Sequence, residues 1–349
     1  GNPRKRNDFR HGFGSCGNGT FCYLCHMNPI RMLELCRRGQ WDVDRDIDWS
    51  GTPRSMSPAD ERAIVQYFVD MAGIERVAAA LFEEQGRRVT DKTMQAIFAT
   101  FVDDERRHAI VAERLAAYYD VRKLERYTTS PSLVTFSHHF VRALRYASPE
   151  TANVYVTAGE LLLDVALLRS IDDFVADPMS HRAMELVNRD ESRHIAVDYY
   201  MTELYASADY QAWLAAQPAP SLAQRMRGAW AFANLLYAVG PFAADVFVRP
   251  MRLVDPSGRR IHEALKRFQM LGEKPDVAAR PFMRFANGFR ATASHPVVGP
   301  VFVAAMSSFS GTSLVGLLGE HLSEDERREA RRMTIDELAE DALRAKALA

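Results

Sequence analysis

Long stretches of this chain repeat apolar residues with the period of an α-helix, and runs that alternate like β-strands are scarce. Four of these stretches predict long helices: Ser57 to Gly86, Thr90 to Tyr119, Pro149 to Asp177 and His181 to Ala206. Ser57 followed by Pro58 is typical of a helix start, and Gly86 is typical of a helix end. We therefore expect an all-α fold.

A five-residue motif occurs in the second and in the fourth of these helices. Residues 104–108 read Asp-Glu-Arg-Arg-His, and residues 190–194 read Asp-Glu-Ser-Arg-His. The Glu and the His of each copy are three residues apart, so they project from one helix face about one turn apart. A single copy would more often be solvated surface, but two copies suit a carboxylate-bridged pair of metal ions.

The other two long helices each carry one acid in an apolar setting. Glu75 is the only acid in the run 72–81, and Glu160 lies in the segment VYVTAGELLLDVALL. A carboxylate buried there would be costly unless it met a cation. If each helix pair folds back at its turn, both acids reach the depth of the motifs. The predicted metal ligands are Glu75, Glu105, His108, Glu160, Glu191 and His194.

Over residues 57–206, this ligand order resembles that of the ferritin-like di-iron carboxylate proteins. The Asp-Glu-x-Arg-His form is similar to the oxygen-activating members: the acyl-carrier-protein desaturases, the bacterial multicomponent monooxygenases and the aminobenzoate N-oxygenases. The resemblance implies a ferritin-like four-helix bundle over 57–206. An irregular, cysteine-containing arm (1–56) would precede it, and a C-terminal helical extension (207–349) would pack on it. It also implies two iron ions, with a manganese–iron pair as the alternative.

The resemblance assigns roles to residues beside the ligands. Metal-bound imidazoles usually donate their second N–H to a carboxylate. We expect Asp104 to reach His194 and Asp190 to reach His108. Arg107 and Arg193 would complete these charged surroundings, whereas the alternative is that Asp104, Asp190, Arg107 and Arg193 are simply exposed.

Asp164 lies one turn after Glu160, where oxygenases of this kind often carry a threonine near the oxygen pocket. We interpret Asp164 as a catalytic proton donor or an extra ligand, and a structural role, such as pairing with an arginine, is the alternative. An apolar stripe would exclude water from the site and accept an organic substrate. Its predicted members are Phe98, Phe101, Val156, Leu163 and Val187.

The resemblance implies an O2-dependent non-heme di-iron oxidoreductase that hydroxylates, desaturates or N-oxygenates an organic small-molecule or acyl substrate. Its electrons would come from an external donor, either a protein or another reductant. The aminobenzoate branch has an extra His four residues before the last ligand Glu. Val187 occupies that position here, which favours chemistry at carbon. A homodimer is the family-based expectation.

The alternative functions are iron handling, as in a ferroxidase, and a ligand-oxidase protein with a manganese–iron site. Iron-handling relatives are often little more than the four-helix bundle. This chain has 155 further residues after His194, which suits the covering of a substrate pocket. The sequence therefore favours the oxygenase interpretation.

All four cysteines lie within the first 36 residues: Cys16, Cys22, Cys25 and Cys36. Their spacing, C-x5-C-x2-C-x10-C, matches neither the common zinc-finger spacings nor that of plant-type ferredoxins. Because no export signal is recognisable, a structural zinc site is favoured over a disulfide framework. Unligated thiols in a packed arm are the alternative.

The overall charge is nearly balanced, at −1 with a pI of about 6.9, so it favours neither nucleic acid nor an anionic membrane surface as a partner. Residues 1–10 are basic and lack the apolar segment of a signal peptide, which predicts a cytoplasmic protein. Residues 229–249 and 292–319 are strongly apolar but are interrupted by proline, glycine and polar residues. We expect buried helices there and not membrane spans.

Overall fold

The computed structural model describes residues 27–348, which form sixteen α-helices and two π-helical segments and contain no β-strand. The prediction of an all-α fold is confirmed for these residues. The elements are α1 (Pro29–Arg38), α2 (Pro58–Arg88), α3 (Lys92–Tyr119), α4 (Pro131–Leu144), α5 (Pro149–Glu160), the first π segment (Leu161–Leu168), α6 (Arg169–Val175), α7 (Pro178–Ala206), α8 (Ala208–Ala215), α9 (Leu222–Ala243), the second π segment (Ala244–Val248), α10 (Arg249–Val254), α11 (Arg259–Leu271), α12 (Pro275–Ala278), α13 (Pro281–Ser294), α14 (Gly299–Ser310), α15 (Glu324–Arg332) and α16 (Ile335–Leu348).

Side-chain caps fix where the long helices begin. The Ser57 side chain accepts a hydrogen bond from the Asp60 N–H at the start of α2, and the Asp91 side chain caps α3 in the same way. The Asp177 side chain accepts from two backbone N–H groups at the start of α7. The predicted start of the fourth helix, His181, is therefore three residues late, because Pro178 occupies the first turn.

The third predicted helix is interrupted by a change in helical pitch. The chain runs without a break from Pro149 to Val175, but residues 161–168 are π-helical. These residues read LLLDVALL and are apolar on nearly every side, so the sequence gives no periodicity from which the pitch could be predicted. A π segment inserted in an α-helix often accompanies a functional site.

Two helix pairs form the centre of the molecule. A connection of three residues, 89–91, joins α2 to α3, and α2 packs closely along α3. α5 packs along α7, and further contacts join α2 to α5 and α3 to α7. The polar side chains discussed below lie between these helices.

The segments at both ends of the described chain pack onto this centre. The predicted arm was expected to be irregular, but residues 29–38 form α1, which packs on α3 and α7. Asn28 caps α1 and Pro29 occupies its first turn, a start signal that the sequence analysis overlooked. At the other end, α16 packs on α7 and on the first π segment.

Within residues 27–348, one continuous helical stretch, Leu222–Val254, is long and apolar enough to cross a membrane by length and composition. Of its most apolar window, 44% is buried in the protein, where α9 packs on α4 and α14. A core helix of a soluble protein can have the same length and composition, so these properties alone do not define a membrane span.

Candidate metal centre

Six polar side chains meet between α2, α3, α5 and α7, and each is at most 3% exposed. One acid comes from α2 and one from the last residue of α5. An acid and an imidazole one turn apart come from each of α3 and α7. The six residues are Glu75, Glu105, His108, Glu160, Glu191 and His194.

The six side chains form two overlapping groups of four. Each residue of a group offers one ligand atom, and these atoms lie within 4.8 Å of one another. The groups are Glu75, Glu105, His108 and Glu191, and Glu105, Glu160, Glu191 and His194. Because Glu105 and Glu191 belong to both groups, their carboxylates lie where two neighbouring metal ions could share them.

The two imidazoles approach the shared carboxylates through the same ring atom. His108 Nδ1 is 2.9 Å from Glu191 Oε1, and His194 Nδ1 is 2.8 Å from Glu191 Oε2 and 3.0 Å from Glu105 Oε1. Neither Nδ1 atom nor either carboxylate oxygen of Glu105 has hydrogen-bond geometry with another described residue. Buried polar atoms without partners are costly, and a cation bound between them would remove that cost.

The pKa values of these side chains also indicate a site suited to a cation. Burial, followed by the charge of Glu191, raises the pKa of Glu75 to about 7 and raises the pKa of Glu105 well above its usual value. Burial works against the imidazolium form of His194, but the charge of Glu191 and the neighbouring Asp104 carboxylate outweigh it and raise the pKa to about 9. Without a cation, the cluster therefore retains protons that a metal ion would displace.

Each aspartate of the repeated motif contacts the imidazole of the opposite helix. Asp190 Oδ2 is 3.3 Å from His108 Nε2, and Asp104 Oδ2 is 3.5 Å from His194 Nε2. The opposing motif helices bring these pairs together, and all four side chains are buried. The second ring nitrogen of His108 thus has a hydrogen-bond partner in Asp190, whereas that of His194 lies beside Asp104 without hydrogen-bond geometry. A carboxylate at this ring nitrogen helps to fix ring orientation in metal sites.

Two arginines neutralise these aspartates. Arg193 donates to Asp190 at 2.7 Å and to Asp104 at 3.2 Å. Arg107 donates to Asp104 and lies 3.5 Å from Asp190. The side chains of Arg193 and Arg107 are only 10% and 12% exposed, so neither is a solvated surface residue.

Two residues before α2 belong to this network, although the sequence analysis assigned them no role. The Trp41 indole N–H donates to Asp190 Oδ2 at 2.7 Å, and the Gln40 side chain donates to Asp104 Oδ1 at 3.1 Å. The Arg107 guanidinium lies over the Trp41 ring, 5.1 Å from its centre. The sequence signal that could have identified Trp41 is a tryptophan in an Asp-rich loop. If such an indole is buried, its N–H needs an acceptor.

Asp164 belongs to neither group of candidate ligands. It lies in the first π segment, is completely buried, and has Lys346 Nζ of α16 3.7 Å from its Oδ2. Neither carboxylate oxygen forms a hydrogen bond with another described residue, and burial raises its pKa well above the usual value. The charged partner is thus a lysine and not the arginine considered above, while the role of Asp164 as a proton donor stays a prediction.

Asp198 is a further buried acid that the sequence analysis missed. It lies on α7, one turn after His194, and is completely buried with no hydrogen bond to its carboxylate oxygens from another described residue. Burial raises its pKa well above the usual value, and the charge of Glu191 adds to this effect. The spacing of four residues from His194 was visible in the sequence and was the signal that could have identified it.

The predicted apolar stripe divides into two parts. Phe101 contacts the His194 ring at a centroid distance of 4.0 Å, and Phe98 packs against Phe101 and Phe82. Val156 and Leu163 instead line a cavity of about 820 Å³. Phe98, Phe101 and Val187 do not line this cavity, so only Val156 and Leu163 of the predicted stripe border it, and the role of the stripe stays a prediction.

The large cavity reaches the acidic and histidine cluster at Glu160. Among residues 27–348, Glu160 is its one lining carboxylate and Arg290 its one lining basic residue. Most of its other lining side chains are aliphatic or aromatic, from α2, α4, α5, α9, α11, α13 and α14. The volume lies within the range of ligand-binding pockets.

Cys36 is the one cysteine within the described residues. It is completely buried in α1, and burial raises the pKa of its thiol. Cys16, Cys22 and Cys25 lie outside the described residues. A zinc site formed by the four cysteines stays a prediction.

Comparisons of this chain with protein-family models, with curated proteins and with solved structures found no match. The structure itself establishes an all-helical protein with a buried acidic and histidine cluster that could hold a metal ion. The fit of a metal rests on the convergent ligand atoms that lack hydrogen-bond partners among the described residues.

Proposed function

We propose that this protein is a ferritin-like di-iron carboxylate oxidoreductase that uses O2 to hydroxylate or desaturate an apolar organic substrate. The observation that carries the proposal is the pair of overlapping ligand groups that share Glu105 and Glu191. The packing of α2 on α3 and of α5 on α7 supports a ferritin-like bundle. The order Glu, Glu-x-x-His, Glu, Glu-x-x-His along the chain supports the same class.

Each candidate ligand has a defined part in this proposal. Glu105 and Glu191 would bridge two iron ions, with Glu75 and His108 completing one site and Glu160 and His194 the other. When bound, the iron pair would supply the electrons and the open coordination positions for O2 reduction. An external electron donor would be needed for repeated turnover.

The surrounding residues would hold the ligands and exclude water. Asp190 would orient His108 through a hydrogen bond to its second ring nitrogen, and Asp104 lies 3.5 Å from the corresponding nitrogen of His194. The rings of Phe82 and Phe101 cover one side of His194, at centroid distances of 5.1 and 4.0 Å. Asp164 is buried four residues after Glu160, where it could hold a proton for the reaction.

The cavity at Glu160 supports an apolar and uncharged substrate. Arg290 is the one lining cation from the described part of the chain and lies 3.0 Å from Glu273, so its charge is already matched. An ionised substrate inside the cavity would therefore lack a free counter-ion, which is costly away from water. Hydrocarbon chains and uncharged aromatic groups suit the lining best, and Val187 in place of a histidine favours chemistry at carbon over N-oxygenation.

The proposal is tested by loading the apoprotein with iron(II) under anaerobic conditions and then supplying O2 and a chemical reductant. We expect O2 consumption to increase with a long-chain acyl or alkylaryl compound. Mass spectrometry should then find a hydroxylated or unsaturated product. Parallel loading with manganese and iron together identifies the metal pair that supports turnover.

The matched variants are Glu105→Ala, which removes a shared ligand, and Glu113→Ala, which removes an exposed acid from the same helix. Activity should be lost in the first variant and kept in the second. If O2 consumption follows the iron(II) supplied and no acyl, alkylaryl or amine candidate changes it, the protein is a ferroxidase and the oxygenase proposal is wrong.

A further inference from the structure

The outer face of α9 is apolar and uncovered. Leu222, Met226, Trp230 and Tyr237 are 74, 65, 65 and 66% exposed. Successive members of this set are four or seven residues apart, so they form one stripe along the helix. Large apolar side chains exposed side by side are uncommon on monomeric soluble proteins and mark interaction surfaces.

The neighbouring helix α14 extends this stripe. α14 packs on α9, and the Tyr237 and Phe309 rings are in contact at a centroid distance of 5.6 Å. Phe309 and Val301 of α14 are themselves 42 and 73% exposed. We define the apolar face as Leu222, Met226, Trp230, Tyr237, Val301 and Phe309.

Exposed arginines accompany the apolar face. Arg225 and Arg227 lie on either side of Met226 in α9, Arg252 lies in α10 and Arg284 lies in α13. Their only hydrogen bonds within residues 27–348 are to backbone oxygens, so no described carboxylate neutralises them. Residues 222–310 contain twelve arginines and lysines and five acids, but Arg260, Lys266, Arg267 and Arg290 pair with acids elsewhere in the chain. The positive charge available at the surface therefore rests on the four exposed arginines.

The large cavity opens through the same face. Tyr237 and Phe309 belong to the apolar face and also line the cavity of about 820 Å³ that reaches Glu160. Phe285 of α13 lines the cavity as well and is 42% exposed. An apolar ligand bound to this face could therefore enter the cavity without crossing water.

We propose that the apolar face docks on the surface of a lipid bilayer that contains anionic lipids, and that apolar ligands pass from the bilayer into the cavity. Tryptophan, tyrosine and leucine side chains suit the boundary between headgroups and acyl chains, and the arginines suit lipid phosphates. A second copy of this chain would bring the same arginines together, and like charges oppose such a contact. The entry of ligand rests on the proposed function, whereas the docking does not.

Flotation of the full chain with lipid vesicles tests the docking and needs neither metal nor O2. We expect the protein to float with phosphatidylcholine vesicles that contain phosphatidylglycerol and to float less with phosphatidylcholine alone. High salt should weaken the binding because it screens the charges. Arg225→Glu should lower the partition coefficient about fivefold or more, since each basic residue near an anionic surface contributes about this factor.

Matched variants separate this face from the rest of the surface. Trp230→Glu should abolish flotation, whereas Trp213→Glu, at a tryptophan of α8 that is 53% exposed, should leave it unchanged. Arg126→Glu, at an exposed arginine before α4, is the charge control for Arg225→Glu. Circular dichroism of each variant establishes that the helices are retained.

Lipid contact at Trp230 is tested with brominated lipids, which quench the fluorescence of a tryptophan that inserts among them. Quenching in the wild-type protein should be lost in Trp230→Phe, which keeps an apolar ring for docking, and kept in Trp213→Phe. If vesicles of neither composition bind, or if Trp213→Glu reduces flotation as much as Trp230→Glu, the proposal is wrong. A dimer that Trp230→Glu dissociates in the absence of vesicle binding would assign the face to a second copy.

Discussion

Four buried carboxylates, those of Glu75, Glu105, Glu160 and Glu191, lie around two imidazoles with no lysine or arginine in either ligand group. Two divalent cations would balance their four negative charges. The negative charges of the two motif aspartates, which lie just outside these ligands, are balanced by the protein itself, because two arginines contact them. Buried charge is costly unless it is matched, so the charge distribution supports the proposal of a site for two cations.

Removal of one ligand should have different effects on metal content, depending on whether the ligand is shared. Glu191 belongs to both groups and Glu75 to only one. We expect tightly bound metal to fall from two ions per chain to nearly none in Glu191→Ala and to about one in Glu75→Ala. Elemental analysis after desalting measures this, and equal losses in the two variants would contradict the assignment of Glu191 as a bridge.

Trp41 should act on the metal through Asp190 and His108. Trp41→Phe keeps an aromatic ring but removes the N–H that donates to Asp190 at 2.7 Å. Loss of such an outer partner typically lowers metal affinity by about 10- to 100-fold. Competition with a chelator measures the affinity. Trp49→Phe is the control, since the Trp49 indole donates to the Val43 carbonyl instead, and an equal loss there would disprove the specific role of Trp41.

At the scale of the helices, the sequence predicts the centre of the fold better than its edges. The four long helices could be recognised because capping residues and apolar periodicity agree in them. Glu75 and Glu160 could be recognised because each is an isolated acid among small or apolar residues. The π-helical pitch of residues 161–168 could not be predicted, because a uniformly apolar run carries no periodicity. This segment packs against α11 and α16, which are distant in sequence.

Contacts between distant parts of the chain were also beyond sequence reasoning. Lys346 looks like one more charged residue of an amphipathic tail, yet it is 2% exposed and reaches Asp164. Trp41 looks like part of a polar loop, and only the packing of α1 on α3 and α7 places the following residues beside the motif aspartates. Local patterns predict elements, whereas such pairings depend on how the elements pack.

The contact of α16 with the core predicts a large effect of Lys346 on stability. Lys346 Nζ donates to the Asn188 carbonyl at 2.6 Å and to Ser192 Oγ at 3.1 Å and also lies beside Asp164. We expect Lys346→Met to lower the free energy of unfolding by about 1–3 kcal/mol, because buried acceptors lose their donor. Urea unfolding measures this change.

A double-mutant cycle separates the contribution of Asp164. If Lys346 matches the charge of Asp164, Asp164→Asn should recover part of the stability lost in Lys346→Met. Lys92→Met at the start of α3, where the exposed ammonium bonds only the Gln95 side chain, is the control and should cost less than about 0.5 kcal/mol. Additive effects of the Asp164 and Lys346 substitutions would show that the two side chains are not coupled.

For the whole molecule, overall charge conceals a marked asymmetry. The net charge of −1 combines +7 over residues 222–310 with −8 over the rest of the chain. Because Arg225, Arg227, Arg252 and Arg284 are exposed and contact no described carboxylate, a nearly balanced overall charge does not exclude an anionic surface as the partner of the region around α9. The acidic and histidine cluster and the proposed docking face are connected by the cavity, whose lining includes Glu160 and Tyr237.

The stability of the metal-free protein should fall as the pH rises from about 5 to 9. Glu75 has a folded-state pKa of about 7 against a usual 4.5, and His194 about 9 against 6.5. For each group, at pH values between its usual pKa and its raised pKa, the folded chain binds more protons than the unfolded chain. Raising the pH through this interval therefore favours unfolding. The shift of Glu75 alone corresponds to about 3 kcal/mol, which is fully present below pH 4.5 and is lost as the pH rises through 7.

Bound metal should counteract the loss of stability that the metal-free protein shows as the pH rises. Metal ions take the place of the retained protons, so the difference in Tm between the metal-loaded and the metal-free protein should grow with pH. Thermal unfolding of both forms across this range measures the difference. Glu75→Gln should flatten the pH dependence of the metal-free protein, whereas Glu113→Gln, at an exposed acid, should not. A metal-free protein whose Tm is constant or rises over this range would show that the six side chains do not share buried protons, and the argument for a cation between them would lose its energetic basis.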